Sequence, residues 1–321
     1  MSSAAPPTPR AELITAHLAL FGAQVAFGLF PVFGQIAFQP GGLSPLGVGA
    51  WRLTAGAGIL LILAAAAHGR AALPERAHLG RLAAAAFLGV ALNQGLYLEG
   101  LARSTPINAV LVMCLIPVFT FALVTVAGLE TFSVTRLAGV LVALAGTLPL
   151  LLEGGFTTLG RYGVGNLLMV ANALSYSGYL VVSKPLLRRY PPLVVIAWSY
   201  ALSLPFVPYF AWGERLTPQA GHAAVWWSLA YIIAFPTVLA YLFNMFALAR
   251  VRASTTAIYI YAQPLITGLA SWMAFGETPT RRMLLAAPAL FGGIWLVSRR
   301  PPAGGPMVAS ERTTPFRSEH S

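Results

Sequence analysis

Charge is what this chain has least of. Only 9% of its 321 residues are Asp, Glu, Lys or Arg, against roughly a quarter in soluble domains. Aspartate is absent, so all nine acids are Glu, and lysine occurs once, as Lys184. With 57% hydrophobic residues and a mean hydropathy of +0.74, the composition excludes an ordinary water-soluble domain. A single cysteine, Cys114, excludes an internal disulfide. Lys184 precedes Pro185 and stands in no Gly-x-x-x-x-Gly-Lys-Ser/Thr frame, so the chain has no P-loop of its own. Neither His-Glu-x-x-His nor Gly-x-Ser-x-Gly occurs, and His17, His68, His78, His222 and His320 are dispersed. No metal, cofactor or enzymatic centre is therefore expected. The net charge of +11 comes from Arg residues scattered singly or in pairs between apolar runs. That pattern suits lipid headgroups at loop ends, and it speaks against nucleic acid as a partner.

What the chain does contain is a copy of itself. Shifted by 147 residues, Pro45-Leu46-Gly47-Val48-Gly49-Ala50-Trp51 falls on Pro192-Leu193-Val194-Val195-Ile196-Ala197-Trp198 with five of seven positions identical. At the same offset Leu101-Ala102-Arg103 meets Leu248-Ala249-Arg250, Pro117 meets Pro264, Glu130-Thr131 meets Glu277-Thr278, and Gly146 meets Gly293. One register over about a hundred residues implies duplication of a large unit.

Hydropathy predicts ten membrane spans, at about 13–38, 45–67, 79–101, 106–127, 134–152, 162–184, 193–212, 224–248, 255–275 and 283–299. The expected fold is an all-α polytopic membrane protein, with halves at 13–152 and 162–299. Flanking them are an N-terminal tail (1–12), without the pattern of a cleaved signal peptide, and a polar, disordered tail (301–321). With the N-terminus inside, twelve Lys and Arg residues fall on the cytoplasmic side and five outside, not counting the distal tail. Both termini are thus expected in the cytoplasm. Five spans per half is an odd number, so the second half is expected to be inverted in the bilayer around a cavity at mid-depth. Monomer and homo-oligomer are both compatible with this plan.

The run Asn93-Gln94-Gly95-Leu96-Tyr97-Leu98-Glu99-Gly100-Leu101-Ala102, followed by Ser104-Thr105-Pro106-Ile107-Asn108-Ala109, resembles the third and fourth helices of the drug/metabolite transporter superfamily, EamA type. Pro117-Val118-Phe119-Thr120-Phe121 with Gly128-Leu129-Glu130 continues the likeness. The second half repeats it in Ala247-Leu248-Ala249, Gln263-Pro264-Leu265 and Gly276-Glu277. The resemblance covers about residues 13–299. The pattern Gln94, Tyr97, Gly100, Leu101 is similar to plant and bacterial amino-acid exporters. It implies an exporter of amino acids, neutral or aromatic ones included, or of related small metabolites, in a bacterial inner membrane. The alternative within the superfamily is a multidrug or quaternary-cation exporter.

Polar side chains at helical spacing inside apolar spans are expected to face the bundle interior. These are Gln24; Asn93 or Gln94 with Tyr97; Asn172, Tyr176 and Tyr179; Tyr241 and Asn244 with Thr237; and Tyr259 with Gln263. Such a lining, nearly without fixed charge, suits a zwitterion with an apolar or aromatic side chain. Arg52 either anchors a carboxylate or snorkels to an interface and caps carbonyls. Glu99 is either the ion-pair partner of Arg103, four residues on, or a proton-coupling carboxylate. Phosphorylated substrates would require several cavity cations, and a cationic drug would require an acid. Pro31, Pro117, Pro236 and Pro264 interrupt apolar runs as hinges or as packing kinks. Glu130 and Glu277 are expected to stabilise the helix starts of their own turns, with Ser133 capping.

Overall fold

A computed structural model describes residues 9–104, 106–153, 163–275, 288, 289 and 292–297. Residues 1–8 of the expected N-terminal tail, the C-terminal tail, the Glu277 turn and most of the tenth predicted span lie outside the described residues, while residues 9–12 belong to the first helix. Those described are helical, with no strand among them. In chain order the α-helices are α1 (Pro9–Ala37), α2 (Pro45–His68), α3 (Leu79–Ala86), α4 (Leu92–Ala102), α5 (Pro106–Met113), α6 (Ile116–Val126) and α7 (Val134–Glu153). They continue as α8 (Gly163–Leu186), α9 (Pro192–Ala201), α10 (Val207–Ala211), α11 (Ala223–Ile232), α12 (Ala240–Arg250), α13 (Ala253–Ile258) and α14 (Gln263–Phe275). Two π-helical stretches, Phe87–Ala91 and Ile233–Leu239, join α3 to α4 and α11 to α12 as continuous rods.

Among the described residues, five rods are long and apolar enough to cross a membrane: Ala11–Ala37, Pro45–Ala72, Arg76–Ala102, Pro192–Ala211 and Ala223–Arg250. Hydropathy reading predicts ten, and for three of the other five the structure shows a physical cause. Helix α8 has the length, 24 residues, but buried Asn166, Asn172, Ser175, Ser177 and Ser183 lower its hydropathy. The predicted spans 106–127 and 255–275 are each split. One breaks between Met113 and Ile116, the other passes from α13 through the 3-10 turn Tyr259–Ala262 into α14. Both breaks lie just ahead of the matched prolines, Pro117 and Pro264. A proline ring crowds the carbonyl four residues back, here Met113 and Ile260, and both prolines are accommodated in the first turn of a new helix. Outside, large apolar side chains such as Ile62 (71% exposed) and Leu167 (69%) stand bare, as on a lipid-facing surface.

The same matched residues build matched starts and ties. Ser44 Oγ accepts from Gly47 N at 3.2 Å ahead of Pro45 at the start of α2, and α9 begins at the corresponding Pro192. Trp51 Nε1 donates to Leu216 O at 2.8 Å, and the matched Trp198 Nε1 donates to Ala72 O at 2.6 Å. Each tryptophan thus ties its helix to a connection from the other half. Helix α4 packs on α8 as α12 packs on α1; α6 packs on α8 as α14 packs on α1; α2 packs on α9. A shift of 147 residues converts one member of each set into the other. The core is shared, joining Leu53 and Leu98 with Tyr179, Tyr200 and Leu248.

The π stretches are matched too, since Phe87–Ala91 shifts onto 234–238. A π turn disturbs the regular ladder, and side chains from elsewhere in the bundle take carbonyls in and beside it. Ser203 Oγ donates to Ala86 O at 3.1 Å, Ser175 Oγ to Leu88 O at 2.7 Å and the Tyr241 hydroxyl to Gly89 O at 2.9 Å. Glycine is needed at position 89, because a Cβ there would lie 2.2 Å from Cδ2 of fully buried Tyr179. Gly89→Ala is expected to destabilise the fold by about 1–3 kcal/mol through overpacking, seen as a lower Tm in detergent. Gly80→Ala, where a Cβ meets nothing within 4 Å, is the matched control and leaves Tm unchanged or higher.

Candidate functional site

A cavity with about 640 Å³ of empty volume, its mouth included, lies among α1, α2, α4, α8, α12 and the two broken helices. It brings together Gln24 of α1, Arg52 of α2, Asn93 and Tyr97 of α4, and Asn172 and Tyr176 of α8. Tyr241 and Asn244 of α12 and Gln263 of α14 complete the polar wall. Besides Thr237, which lies behind Arg52, four residues singled out from sequence lie elsewhere. Gln94 turns away on α4, with Nε2 3.2 Å from the Tyr200 hydroxyl. Tyr179 is buried against Gly89. The Tyr259 hydroxyl pairs with His17 Nδ1 at 2.7 Å. Glu99 forms its ion pair with Arg103 beside an outer groove walled by Phe87, Leu96 and Phe206. Helical phase explains the sorting: successive residues differ by about 100°, so Asn93 and Tyr97 share a face that Gln94 and Glu99 leave.

A search for polar side chains misses the apolar wall, which includes Phe27, Phe30, Met113, Ile116 and Ile260, and also misses Thr256. The 147-residue shift is the signal that would have found part of it. It pairs Tyr97 with Asn244, Met113 with Ile260 and Ile116 with Gln263, and all six residues line the cavity. Met113 and Ile260 are also the residues whose carbonyls the matched prolines crowd.

The polar groups are tied across helices. Gln263 Nε2 donates to Gln24 Oε1 at 2.7 Å, Asn172 Nδ2 to Asn93 O at 2.6 Å and Asn244 Nδ2 to the Tyr176 hydroxyl at 2.9 Å. Asn244 Oδ1 is buried with no hydrogen-bond partner, an acceptor left open beside the cavity. Tyr241 meets the rings of Phe27, Tyr176 and Tyr200 at 5.8, 6.5 and 5.7 Å. Tyr97 stacks on Phe30 at 5.3 Å.

Arg52 is the one fixed charge in this lining. It is 3% exposed, so it does not snorkel. Its Nε donates to Thr237 Oγ1 at 2.8 Å, and its guanidinium carbon lies 4.7 Å from the Phe30 ring centre. The local sequence explains this placement. Pro236 lacks an N–H within the π stretch, and Thr237 Oγ1 donates to Ile232 O at 2.7 Å while accepting from Arg52. The ion pairs among described residues are His78–Glu75, Arg103–Glu99 and Arg136–Glu130, none of which reaches Arg52. A buried cation without a counter-ion is costly, by several kcal/mol on common estimates, and an oxyanion entering the cavity would relieve that cost.

The family model described as the EamA-like transporter family matches residues 14–152 and again residues 163–299. An uncharacterized transporter of Bacillus subtilis (strain 168) is 22% identical over 263 residues, covering 80% of this chain and 86% of that protein. A Streptantibioticus cattleyicolor protein described as a probable terminal-alkyne amino-acid exporter is 26% identical over 197 residues, 60% of this chain and 64% of its own. The Arabidopsis thaliana protein WALLS ARE THIN 1 is 23% identical over 250 residues, 66% and 64% of the respective chains. A solved crystal structure shares the fold, with a TM-score of 0.73 at 22% identity over 89% of this chain and 96% of the other.

Proposed function

This chain belongs to the EamA-like transporter family of membrane transporters, and we propose that it exports amino acids or related small carboxylate metabolites by alternating access. The observation that carries the substrate class is Arg52, a buried guanidinium without a carboxylate partner in a cavity otherwise lined by amides and aromatic rings. A substrate carboxylate would sit against Arg52. Its ammonium would find the open Asn244 Oδ1 and the faces of the tyrosines, and its apolar side chain would meet Phe27 and Ile260. The relative described as a probable terminal-alkyne amino-acid exporter supports this class. A quaternary cation would meet a guanidinium and no acid in the lining, which disfavours the multidrug alternative.

The architecture in this reading is two five-helix halves, inverted with respect to each other in a bacterial inner membrane, with both termini in the cytoplasm. The paired π stretches, paired helix breaks and paired helix contacts support it. Pro117 and Pro264 then serve as hinges beside the cavity, with Pro31 and Pro236 in the rods that border it.

The test is counterflow of a labelled aromatic amino acid in liposomes, with a quaternary ammonium compound as competitor and with or without a pH gradient. The labelled amino acid is expected to exchange, and the quaternary compound is expected not to compete. Tyr97→Ala and Asn244→Ala are each expected to lower flux about tenfold or more, the equivalent of about 1.4 kcal/mol in binding, with membrane levels unchanged. Competition by the cation alone would reverse the substrate assignment.

A further inference from the structure

We propose a second anion-binding site at the Glu130 end of the molecule, separate from the Arg52 cavity and built to take a phosphate or carboxylate group. A cavity with about 740 Å³ of empty volume, its mouth included, is lined there by Arg136, Lys184, Arg188, Arg252 and a single acid, Glu130. Glu130 is already engaged. Its Oε2 accepts from Arg136 Nη1 at 2.5 Å and from Ser254 Oγ at 2.6 Å, and its Oε1 accepts from Ser254 N at 3.1 Å. Lys184 Nζ donates to the carbonyls of Leu248 and Val251 at the end of α12. Those bonds hold the ammonium at the wall without neutralising it. Arg188 and Arg252 are exposed, and no carboxylate pairs with either among the described residues. Four cations against one carboxylate leave a net charge of +3 on one concave wall, the setting in which charge-assisted hydrogen bonds to an oxyanion form.

Two simpler origins of the cluster fail to account for it. The inward bias of basic residues in membrane proteins places cations on a side without gathering them. Arg70, Arg76 and Arg81 share the expected side, yet none lines this cavity. Duplication does not supply them either. The 147-residue shift carries Arg136 to Met283, and carries Lys184, Arg188 and Arg252 back to Ala37, Gly41 and Thr105. None of the four cations has a basic counterpart in the other half at that register.

The oxyanion has two sources, an anionic lipid headgroup in the adjoining membrane surface or a soluble anion. Thermal unfolding of the purified full-length protein in neutral detergent separates them, using phosphatidylglycerol, phosphatidylcholine and inorganic phosphate as probes. Phosphatidylglycerol is expected to raise Tm and phosphatidylcholine is not. The R188Q/R252Q double variant, which alters two exposed side chains, is expected to need about tenfold more of the anion for the same shift. A response to phosphatidylglycerol alone assigns the lipid headgroup, and a response to inorganic phosphate as well assigns a soluble oxyanion. The proposal is overturned if neither anion shifts Tm, or if the double variant responds as the unaltered protein does. The readout needs no transported substrate, so it stands or falls apart from the amino-acid assignment.

Discussion

Arg52→Met is expected to abolish carboxylate binding while leaving the protein as stable as before, or more so. The guanidinium is 3% exposed and faces the cavity, so a bound carboxylate would be desolvated along with it. Deleting one partner of such a pair costs about 2–5 kcal/mol of binding, about 30-fold or more in Kd. The empty protein behaves in the opposite sense. Exchanging buried charge for an apolar side chain of similar volume is often neutral, or stabilising by about 1–4 kcal/mol. Thr237 keeps its bond to Ile232 O, so no buried hydroxyl is orphaned. Kd and Tm measured on one preparation decide the matter. Binding at the original affinity would remove Arg52 from the site, whereas a collapse in Tm would make it a structural residue. Arg52→Lys keeps the charge but lacks the bidentate fork and is expected to fall between the two.

Glu130→Ala is expected to be among the most destabilising single changes in the chain. The Glu130 and Arg136 side chains are 7% and 6% exposed, so removing the carboxylate leaves a buried guanidinium uncompensated, at a cost of about 3–5 kcal/mol. The backbone N–H and hydroxyl of Ser254 lose their acceptor in the same step. Because Glu130 precedes α7 and Ser254 lies in α13, the loss falls on the contact between the two halves. Chemical or thermal unfolding in detergent measures it. The double variant E130A/R136M is expected to recover much of the loss, because the unpaired charge is gone. A single variant within about 0.5 kcal/mol of the parent, the usual range for surface substitutions, would show the pair to be screened.

Glu130 also marks where sequence reasoning stops. Its turn is legible: Ser133 Oγ does accept from Arg136 N, at 3.4 Å. Local pattern assigns the carboxylate to the same turn, yet it caps the start of a helix 124 residues later. No local pattern encodes that distance. The cavity divides in the same way. Eight of the eleven amides and tyrosines singled out by helical spacing line it, with Arg52 as a ninth wall residue. Gln94, Tyr179 and Tyr259 have the same chemistry and the same spacing but face protein instead.

Sequence by itself determined that these are membrane helices, that one register relates the two halves, and that prolines stand at matched places. Hydropathy, self-similarity and the missing N–H of proline are properties of chain order alone. Tertiary structure alone decided which flank of each helix borders the cavity, that Arg52 is buried against Thr237, and that four cations share one wall at the Glu130 end. The rotation of a helix about its axis is set by helices packed against it from the other half of the chain, and burial of a charge depends on what surrounds it in space.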